Sequence, residues 1–450
     1  MKALPSLRHP LIGWGVLLIL LSCFYLRGID QVGFHRDESH WIATSAYLEA
    51  ALDPQFTPPE WITTNRLNKG YQARFPSWTR AGLGSMEPPN DIWGTYYFTL
   101  TQPPVARYII AIGRRLCGYT TDELNNPWRF KISDSDNRAG GNMPTRGLLR
   151  SARVTMAVMS IASGMILFGL VSACAGRTAG WIFVALYAFS PYLLIHLRRA
   201  MGDPPLLFFT CLGMLTGMLA LQTWERTQKR VWPLLWLAMM GSCAGLAGAS
   251  KLNGLGLVGA GVALGWLIAL HRRGFATRSE RLTFAFGASL VVPVTAAITF
   301  IAVNPFLYPS LLARTTAMFV MRLAEMGRQR EIPLSGMGGL SQRLAIIPHR
   351  IFVDHALIHY GLINALLGSV GLVYLVRSAW HWLIDKGGSP AGPVVLLAGG
   401  VSVLPVLTTP LDWDRYYLFP VVFLSSVIAI GLGRGLTELI GKLRQESPPS

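Results

Sequence analysis

The sequence predicts an all-α membrane protein that crosses the bilayer about ten times. Of its 450 residues, 51% are hydrophobic and only 14% are charged, and the mean hydropathy is +0.39. A soluble domain usually carries about 25% charged residues, so this composition excludes a soluble enzyme, a disordered chain and a coiled coil. Apolar runs recur along the chain, and about 20 apolar residues suffice for a spanning helix. We therefore expect residues 1–450 to form a single membrane domain.

Ten segments are candidate spans, and several are shorter than an average spanning helix. They are Leu11–Leu26, Val154–Ala175, Ala179–Leu197, Leu206–Leu221, Val231–Ala249, Leu252–Leu270, Leu282–Val303, Ala356–Val376, Ala391–Leu407 and Tyr416–Leu436. The first follows Lys2 and Arg8 and lacks a small-residue cleavage site, so we expect an uncleaved anchor. Only Ser250 and Lys251 separate the fifth from the sixth, which predicts either a tight hairpin or a broken helix.

Basic residues set the expected orientation of these spans. The net charge is +17, which in a soluble protein would suggest nucleic-acid binding, but in a membrane protein reflects basic cytoplasmic loops. With the N-terminus in the cytoplasm, the short basic loops all fall inside. Their basic residues are Arg177, Arg226, Lys229, Arg230, Arg272, Arg273, Arg278, Arg281, Arg377, Lys386, Lys442 and Arg444. No nucleic-acid partner is expected.

One apolar segment, Pro103–Tyr119, is ambiguous because it carries Arg107, Arg114 and Arg115. If it crossed the bilayer, every later basic loop would face outward, so we expect an amphipathic helix on the membrane surface instead. This leaves a large first extracytoplasmic loop at 27–147, which carries surface helices, and a second such loop at 304–355.

The first loop opens with a cluster of ionisable residues about a dozen positions after the first span. Adjacent Asp37 and Glu38 lie between His35-Arg36 and Ser39-His40. A carboxylate at the outer surface is suited to deprotonate an acceptor hydroxyl or amine as general base. Two other interpretations stay open: a helix whose first turn holds the two acids, or a metal site of His35, Asp37 and His40.

A second motif, Gln102-Pro103-Pro104, opens the amphipathic segment. The rigid proline pair either fixes a side chain at the boundary between water and lipid or begins an ordinary helix. The five cysteines show no CxxC spacing, and all but Cys117 lie in apolar runs. Neither a zinc site nor a disulfide framework is predicted, and buried thiols are expected.

The order of these features resembles the GT-C glycosyltransferases. An Asp-Glu pair after the first span, followed by x-Pro-Pro-apolar at the start of a surface helix, is similar to the protein O-mannosyltransferase and lipid A aminoarabinose transferase branch. The match departs at Gln102, where that branch usually has His or Lys. Further matching positions run in order to the last span. They are Arg153, Ser190-Pro191, Arg198-Arg199, Asp203, Gly245, Ser250-Lys251 and Asp414-Arg415-Tyr416-Tyr417.

The resemblance implies a bundle of about ten helices and an inverting transfer of sugar from a polyprenyl-phosphate donor. It assigns Asp37 as the base that activates the acceptor and Glu38 as the residue that supports or orients it. Basic groups would stabilise the leaving phosphate. The residues expected to bind substrate or phosphate are Arg36, Gln102, Arg198, Arg199, Asp203, Lys251 and Arg415.

Several of these residues have simpler interpretations, which stay open. Arg198 and Arg199 would equally suit snorkelling or an ion pair with Asp203, and Lys251 would suit a helix end at the headgroups. The Asp412-Trp413-Asp414-Arg415 cluster has two alternative interpretations: it binds sugar by stacking on Trp413, or it simply pairs Asp414 with Arg415. His355 and His359 have the spacing of two metal ligands on one helix face.

Two other functions compete with the transferase. A transporter or lipid flippase without covalent chemistry would suit many spans, but it predicts paired repeats. A polymer ligase would be expected to place its large loop late in the chain. For the transferase we expect membrane lipids, a polyprenyl-phosphate sugar and a lipid, glycan or protein acceptor as partners. It would lie in the cell (inner) membrane with its site facing the periplasm or exterior. No cofactor is assigned, and a divalent cation is left open.

Overall fold

The computed structural model describes residues 8–53, 55–57, 102–271, 274–332, 336–384 and 388–446. Residues 58–101 of the predicted first loop therefore lie outside the described residues. Within the described ranges the regular secondary structure is helical, and β-structure is limited to one isolated bridge between Gly336 and Leu411. This confirms the all-α prediction.

Seventeen α-helices occur in the described ranges, and we number them in chain order. They are α1 (Arg8–Leu26), α2 (Arg36–Ala43), α3 (Tyr47–Leu52), α4 (Val105–Leu116), α5 (Asp134–Ala139), α6 (Arg146–Ala175), α7 (Arg177–Phe189), α8 (Pro191–His196), α9 (Asp203–Thr227), α10 (Val231–Ser250), α11 (Gly256–Leu270), α12 (Arg278–Ala302), α13 (Leu311–Gln329), α14 (Leu340–His349), α15 (Gly361–Ile384), α16 (Ala391–Thr408) and α17 (Leu418–Glu446).

Nine helical segments in the described ranges are long and apolar enough to cross a membrane, and they coincide with nine of the ten predicted spans. The remaining prediction, Ala179–Leu197, is broken into α7 and α8 at Ser190, whose side chain accepts from Leu193 N. Neither piece alone has the length of a span. Helices α7 and α8 together nevertheless run from one end of α6 to the other. Helix α7 starts just after the C-terminal end of α6. Ala200, which follows α8, donates its N–H to Glu38 near the N-terminal end of α6.

The amphipathic segment forms a helix that is too short to span a bilayer by itself. Helix α4 has only 12 residues, about 18 Å of helix, and it packs on α6 and α2. Two of its arginines, however, point inward rather than to water. Arg107 is 1% exposed and stacks over Trp41, and Arg114 is 0% exposed and donates to Glu49 at 2.6 Å.

The predicted second loop, 304–355, is largely helical. It contains α13, α14 and the π-helical turn Arg350–Asp354. The next span begins at Gly361, later than predicted, and the residues from His355 to Tyr360 are not helical. The prediction that His355 and His359 share one helix face is therefore wrong.

The boundary between α10 and α11 is a tight hairpin, one of the two predicted alternatives. Lys251 is extended (φ −161°), and a 3₁₀ turn, Leu252–Leu255, reverses the chain. A Cβ on Gly254 would lie 2.4 Å from the Ala247 carbonyl carbon, so only glycine allows this close approach. The turn leaves Lys251 at one end of the bundle, above a second small core formed with Trp41 of α2, Ile110 of α4 and their neighbours.

Candidate active site

The Asp-Glu pair lies in the first turn of α2, which is held by a reciprocal cap. His35 Nδ1 accepts from Asp37 N at 3.2 Å, and Glu38 Oε2 accepts from His35 N at 2.9 Å. The interpretation as a helix N-terminus is thus correct, and it also fixes where each carboxylate points. Glu38 turns into the bundle while Asp37 turns toward open space.

Glu38 is fully buried and forms a two-pronged ion pair with Arg153 of α6. Arg153 donates to Glu38 from Nε at 2.8 Å and from Nη2 at 2.7 Å, and Ala200 N donates to Glu38 at 2.9 Å. Arg153 also donates to the carbonyl oxygens of Ile29 and Val32. Glu38 therefore ties α2 to α6 and to the chain after α8, which is the geometry of a positioning residue.

Asp37 keeps 18% of its side chain exposed and accepts from Arg415 Nη1 at 2.5 Å. Burial alone would raise the pKa of Asp37, but Arg415, and to a lesser degree His35, hold that pKa below its usual value. Burial lowers the pKa of His40 to about 4. At neutral pH the site thus contains an ionised Asp37 beside a neutral His40.

Asp37 and Arg415 lie where two cavities meet. The His35 cavity, of about 570 Å³, is lined by Phe34, His35, Arg36, Asp37, Phe130, His196, Arg199, Met201, Asp412, Trp413, Asp414 and Arg415. The Lys251 cavity, of about 490 Å³, is lined by Asp37, His40, Trp41, Gln102, Phe130, Met201, Gly202, Asp203, Lys251, Arg322, Glu325, Arg328, Gln329, Ile332, Trp413 and Arg415. The carboxylate of Asp37 therefore reaches two compartments.

The Lys251 cavity is rich in basic groups. Lys251 Nζ donates to Asp203 at 2.7 Å and lies 5.2 Å from the ring of Tyr416. Arg322 donates to the Tyr416 hydroxyl at 3.1 Å, and Arg328 is paired with Glu325. Such a lining suits a phosphate group, because cations offset its charge and the guanidinium fork matches its oxygens.

The His35 cavity combines aromatic faces with fewer cations. Arg199 makes no hydrogen bond or ion pair with the described residues, and its Nε is buried without a partner. Arg36 pairs with Asp134 at 3.1 Å near solvent. Trp413 lies under the guanidinium of Arg415 at 4.7 Å. An aromatic face beside polar groups suits a carbohydrate or another hydroxylated ligand.

Two ion pairs expected from the sequence are corrected by these contacts, and a third residue lies away from both cavities. Arg415 pairs with Asp37 rather than Asp414, which lies 3.6 Å from His355. Asp203 pairs with Lys251 and not with the arginine pair. Arg198 donates to the Phe24 carbonyl and lines neither cavity.

Apart from Arg198 and the buried Glu38, every predicted site residue lines at least one of the two cavities. Helix α13 brings Arg322, Glu325 and Arg328 to the Lys251 cavity, and none of these residues was predicted from the sequence. The basic composition of residues 304–355 was the sequence feature that could have indicated this contribution, but no motif identifies the individual positions. In the described ranges no group of three or more His, Cys, Asp or Glu side chains is placed to hold a metal ion. His40 instead stacks on Phe130 with ring centres 5.4 Å apart.

Comparison with solved structures finds distant likeness. ArnT from Cupriavidus metallidurans bound to undecaprenyl phosphate is 15% identical, with TM-score 0.49, over 96% of this chain and 63% of that one. The Pmt1-Pmt2 O-mannosyltransferase complex of S. cerevisiae, bound to the sugar donor, is 14% identical, with TM-score 0.46, over 70% of this chain and 35% of that one. The oligosaccharyltransferase AglB of Archaeoglobus fulgidus is 12% identical, with TM-score 0.47, over 99% of this chain and 53% of that one. The chain thus spans between about a third and two thirds of the length of these structures.

The sequence itself matches a family model over one region. Residues 91–308, just under half of the chain, match the dolichyl-phosphate-mannose-protein mannosyltransferase family. No curated protein matches the chain. The matched region contains Gln102, Arg199 and Lys251, whereas Asp37 and Arg415 lie outside it. The match over residues 91–308 agrees with the resemblance to the protein O-mannosyltransferase branch that the sequence motifs indicate.

Proposed function

We propose that the chain is an inverting glycosyltransferase that moves a sugar from a polyprenyl-phosphate donor to an acceptor. The observation that carries the proposal is the position of Asp37. This ionised carboxylate lies at the junction of a basic cavity and an aromatic one, which would bring it between a phosphate-bearing donor in the first and an incoming acceptor in the second. The family match over residues 91–308 supports the transferase over a transporter.

In this proposal the Lys251 cavity takes the donor phosphate. Lys251, Arg322 and Arg415 supply the cationic groups, and Gln102 supplies a neutral amide where related enzymes carry a basic residue. These groups act on the charge that grows on the phosphate as the sugar leaves, which is where preorganised cations accelerate a reaction most. The donor lipid would extend from this cavity into the bilayer.

The acceptor would occupy the His35 cavity. Its hydroxyl or amine attacks the anomeric carbon on the face opposite the phosphate, and the bond from that carbon to the phosphate oxygen breaks. The bonding pair leaves with polyprenyl phosphate, and Asp37 takes the acceptor proton. Donor binding would draw Arg415 toward the phosphate and so release Asp37 to act as base.

The proposed location is the cell (inner) membrane with the site facing the periplasm or exterior. The support is the charge distribution: the site lies at the bundle end opposite the short basic loops. The acceptor class is a lipid, a glycan or a protein.

Release of polyprenyl phosphate from a panel of polyprenyl-phosphate sugars tests the proposal. Purified wild type should turn over at least one donor, and Asp37→Asn should lose at least 100-fold in rate, as general-base catalysis contributes about 10²–10⁴, while still binding that donor. Asp122→Asn, which changes an exposed aspartate, is the matched control and should keep full rate. Equal turnover by wild type and Asp37→Asn would overturn the assignment of the base. Movement of donor across liposomes without turnover would favour a transporter.

A further inference from the structure

A third cavity lies at the end of the bundle opposite Asp37. It has a volume of about 270 Å³. Its lining comes from the C-terminal parts of α6, α15 and α17 and from the turn before α16. The lining residues are Cys174, Tyr374, Leu375, Arg377, Ser378, His381, Gly388, Ser389, Ile430, Arg434 and Glu438. Cys174 is about 32 Å along α6 from Arg153, at 1.5 Å per residue.

Two guanidinium groups border this cavity without an ion pair to any described carboxylate. Arg434 donates from Nη2 to the Cys174 carbonyl at 3.1 Å, which holds the guanidinium against the cavity wall. Arg377 donates from Nε to His381 Nε2 at 3.3 Å. The described wall carries one carboxylate, Glu438, which accepts from the Tyr374 hydroxyl at 3.1 Å. The cationic groups thus outnumber the acid.

We propose that this cavity binds a phosphate group, carried either by the headgroup of an anionic lipid or by a soluble phosphate. Arg377 and Arg434 present planar forks that match phosphate oxygens, and the remaining guanidinium N–H groups are available for such bonds. Short basic loops place this end of the bundle at the cytoplasmic leaflet, where anionic lipids are concentrated. This site is separate from the proposed reaction, so its test does not depend on the proposed function.

Lipid binding to the full chain in detergent micelles tests the site. Wild type should retain phosphatidylglycerol over phosphatidylcholine in native mass spectrometry. The variant Arg377→Gln/Arg434→Gln should bind phosphatidylglycerol at least about tenfold more weakly, because charge-assisted hydrogen bonds are lost. Arg226→Gln removes an exposed arginine outside the cavity, in the last turn of α9, and should bind as wild type does. Release of polyprenyl phosphate should be the same in all three proteins.

A second arm separates the two phosphate sources. If inorganic phosphate raises the unfolding temperature of wild type but not of the double variant, the bound group is a soluble phosphate. If only phosphatidylglycerol does so, it is a lipid headgroup. The proposal is overturned if wild type and the double variant bind phosphatidylglycerol equally and inorganic phosphate also shifts their unfolding temperatures equally. An equal loss of binding in Arg226→Gln overturns it as well. Arg377→Gln alone changes an exposed side chain and keeps the test valid if the double variant does not fold.

Discussion

At the scale of single residues, the two adjacent acids of α2 have opposite environments. Glu38 is fully buried and accepts hydrogen bonds from Arg153 and from a backbone N–H. Asp37 instead faces two cavities and accepts from the guanidinium of Arg415. Their positions differ by about 100° around the helix, since 3.6 residues make one turn. One carboxylate can therefore support the fold while its neighbour remains available for chemistry.

Glu38→Gln should destabilise the protein strongly. It leaves Arg153 charged in a buried place without its counter-ion, which costs about 3–5 kcal/mol. Thermal unfolding in detergent should show a large fall in midpoint. Asp134→Asn breaks the exposed pair with Arg36 and should cost less than about 1 kcal/mol. Equal shifts in the two variants would argue against a structural role for Glu38.

The pH profile of activity should depend on Arg415. The guanidinium favours ionised Asp37, so it lowers the pKa of that carboxyl; in Arg415→Gln the pKa rises and less base is ionised at a given acid pH. The acid limb of kcat/KM for polyprenyl-phosphate release should therefore move to higher pH. Arg36→Gln, which loses an exposed arginine paired elsewhere, should leave the limb in place. An unmoved limb in Arg415→Gln would contradict the proposed coupling.

At the scale of elements, the site is assembled from the ends of helices. α2 contributes its first turn, the α10–α11 hairpin contributes Lys251, and the 3₁₀ turn Asp414–Tyr417 contributes Arg415. Helix α13 lies over the Lys251 cavity with Arg322 on one face and exposes Leu312 and Leu323 on another. Helix ends leave the bundle interior apolar while they gather charged groups at one surface.

The α10–α11 hairpin should not tolerate a side chain at Gly254. An added Cβ would lie 2.4 Å from backbone of Ala247, so Gly254→Ala must shift the turn that carries Lys251, at a cost of about 1–3 kcal/mol. Both the unfolding midpoint and the rate of polyprenyl-phosphate release should fall. Gly259→Ala is the matched control in α11, because no atom lies within 4 Å of its added Cβ. A normal rate in Gly254→Ala would mean that Lys251 is not needed where the turn places it.

At the scale of the whole molecule, one arrangement of spans is compatible with the contacts. Glu38 touches Arg153 and Ala200, and Asp37 touches Arg415. These positions reach one end of the bundle only if α4 does not cross and the broken α7–α8 segment does. The same alternation sends the short basic loops to the opposite end, in agreement with the charge rule.

Cysteine labelling checks this topology directly. Cys117 follows α4 and is exposed. In a variant that keeps Cys117 as its single cysteine, a membrane-impermeant maleimide should label intact cells. Arg226→Cys in a cysteine-free chain, at the opposite end, should be labelled only after permeabilisation. The reverse pattern would invert the orientation, and labelling of both from one side would refute the alternation.

The sequence by itself determined the class of fold and nine of the spans, and it predicted both the short helix α4 and a role for Asp37-Glu38. These follow from local features, namely apolar run length, charge asymmetry and adjacent motif residues. The tertiary structure alone decided that Arg415 and not Asp414 faces Asp37, that Lys251 pairs with Asp203, and that α13 adds Arg322 to the site. Such pairings join residues up to 378 positions apart. They depend on how the helix ends converge in space, and no spacing along one chain encodes that convergence.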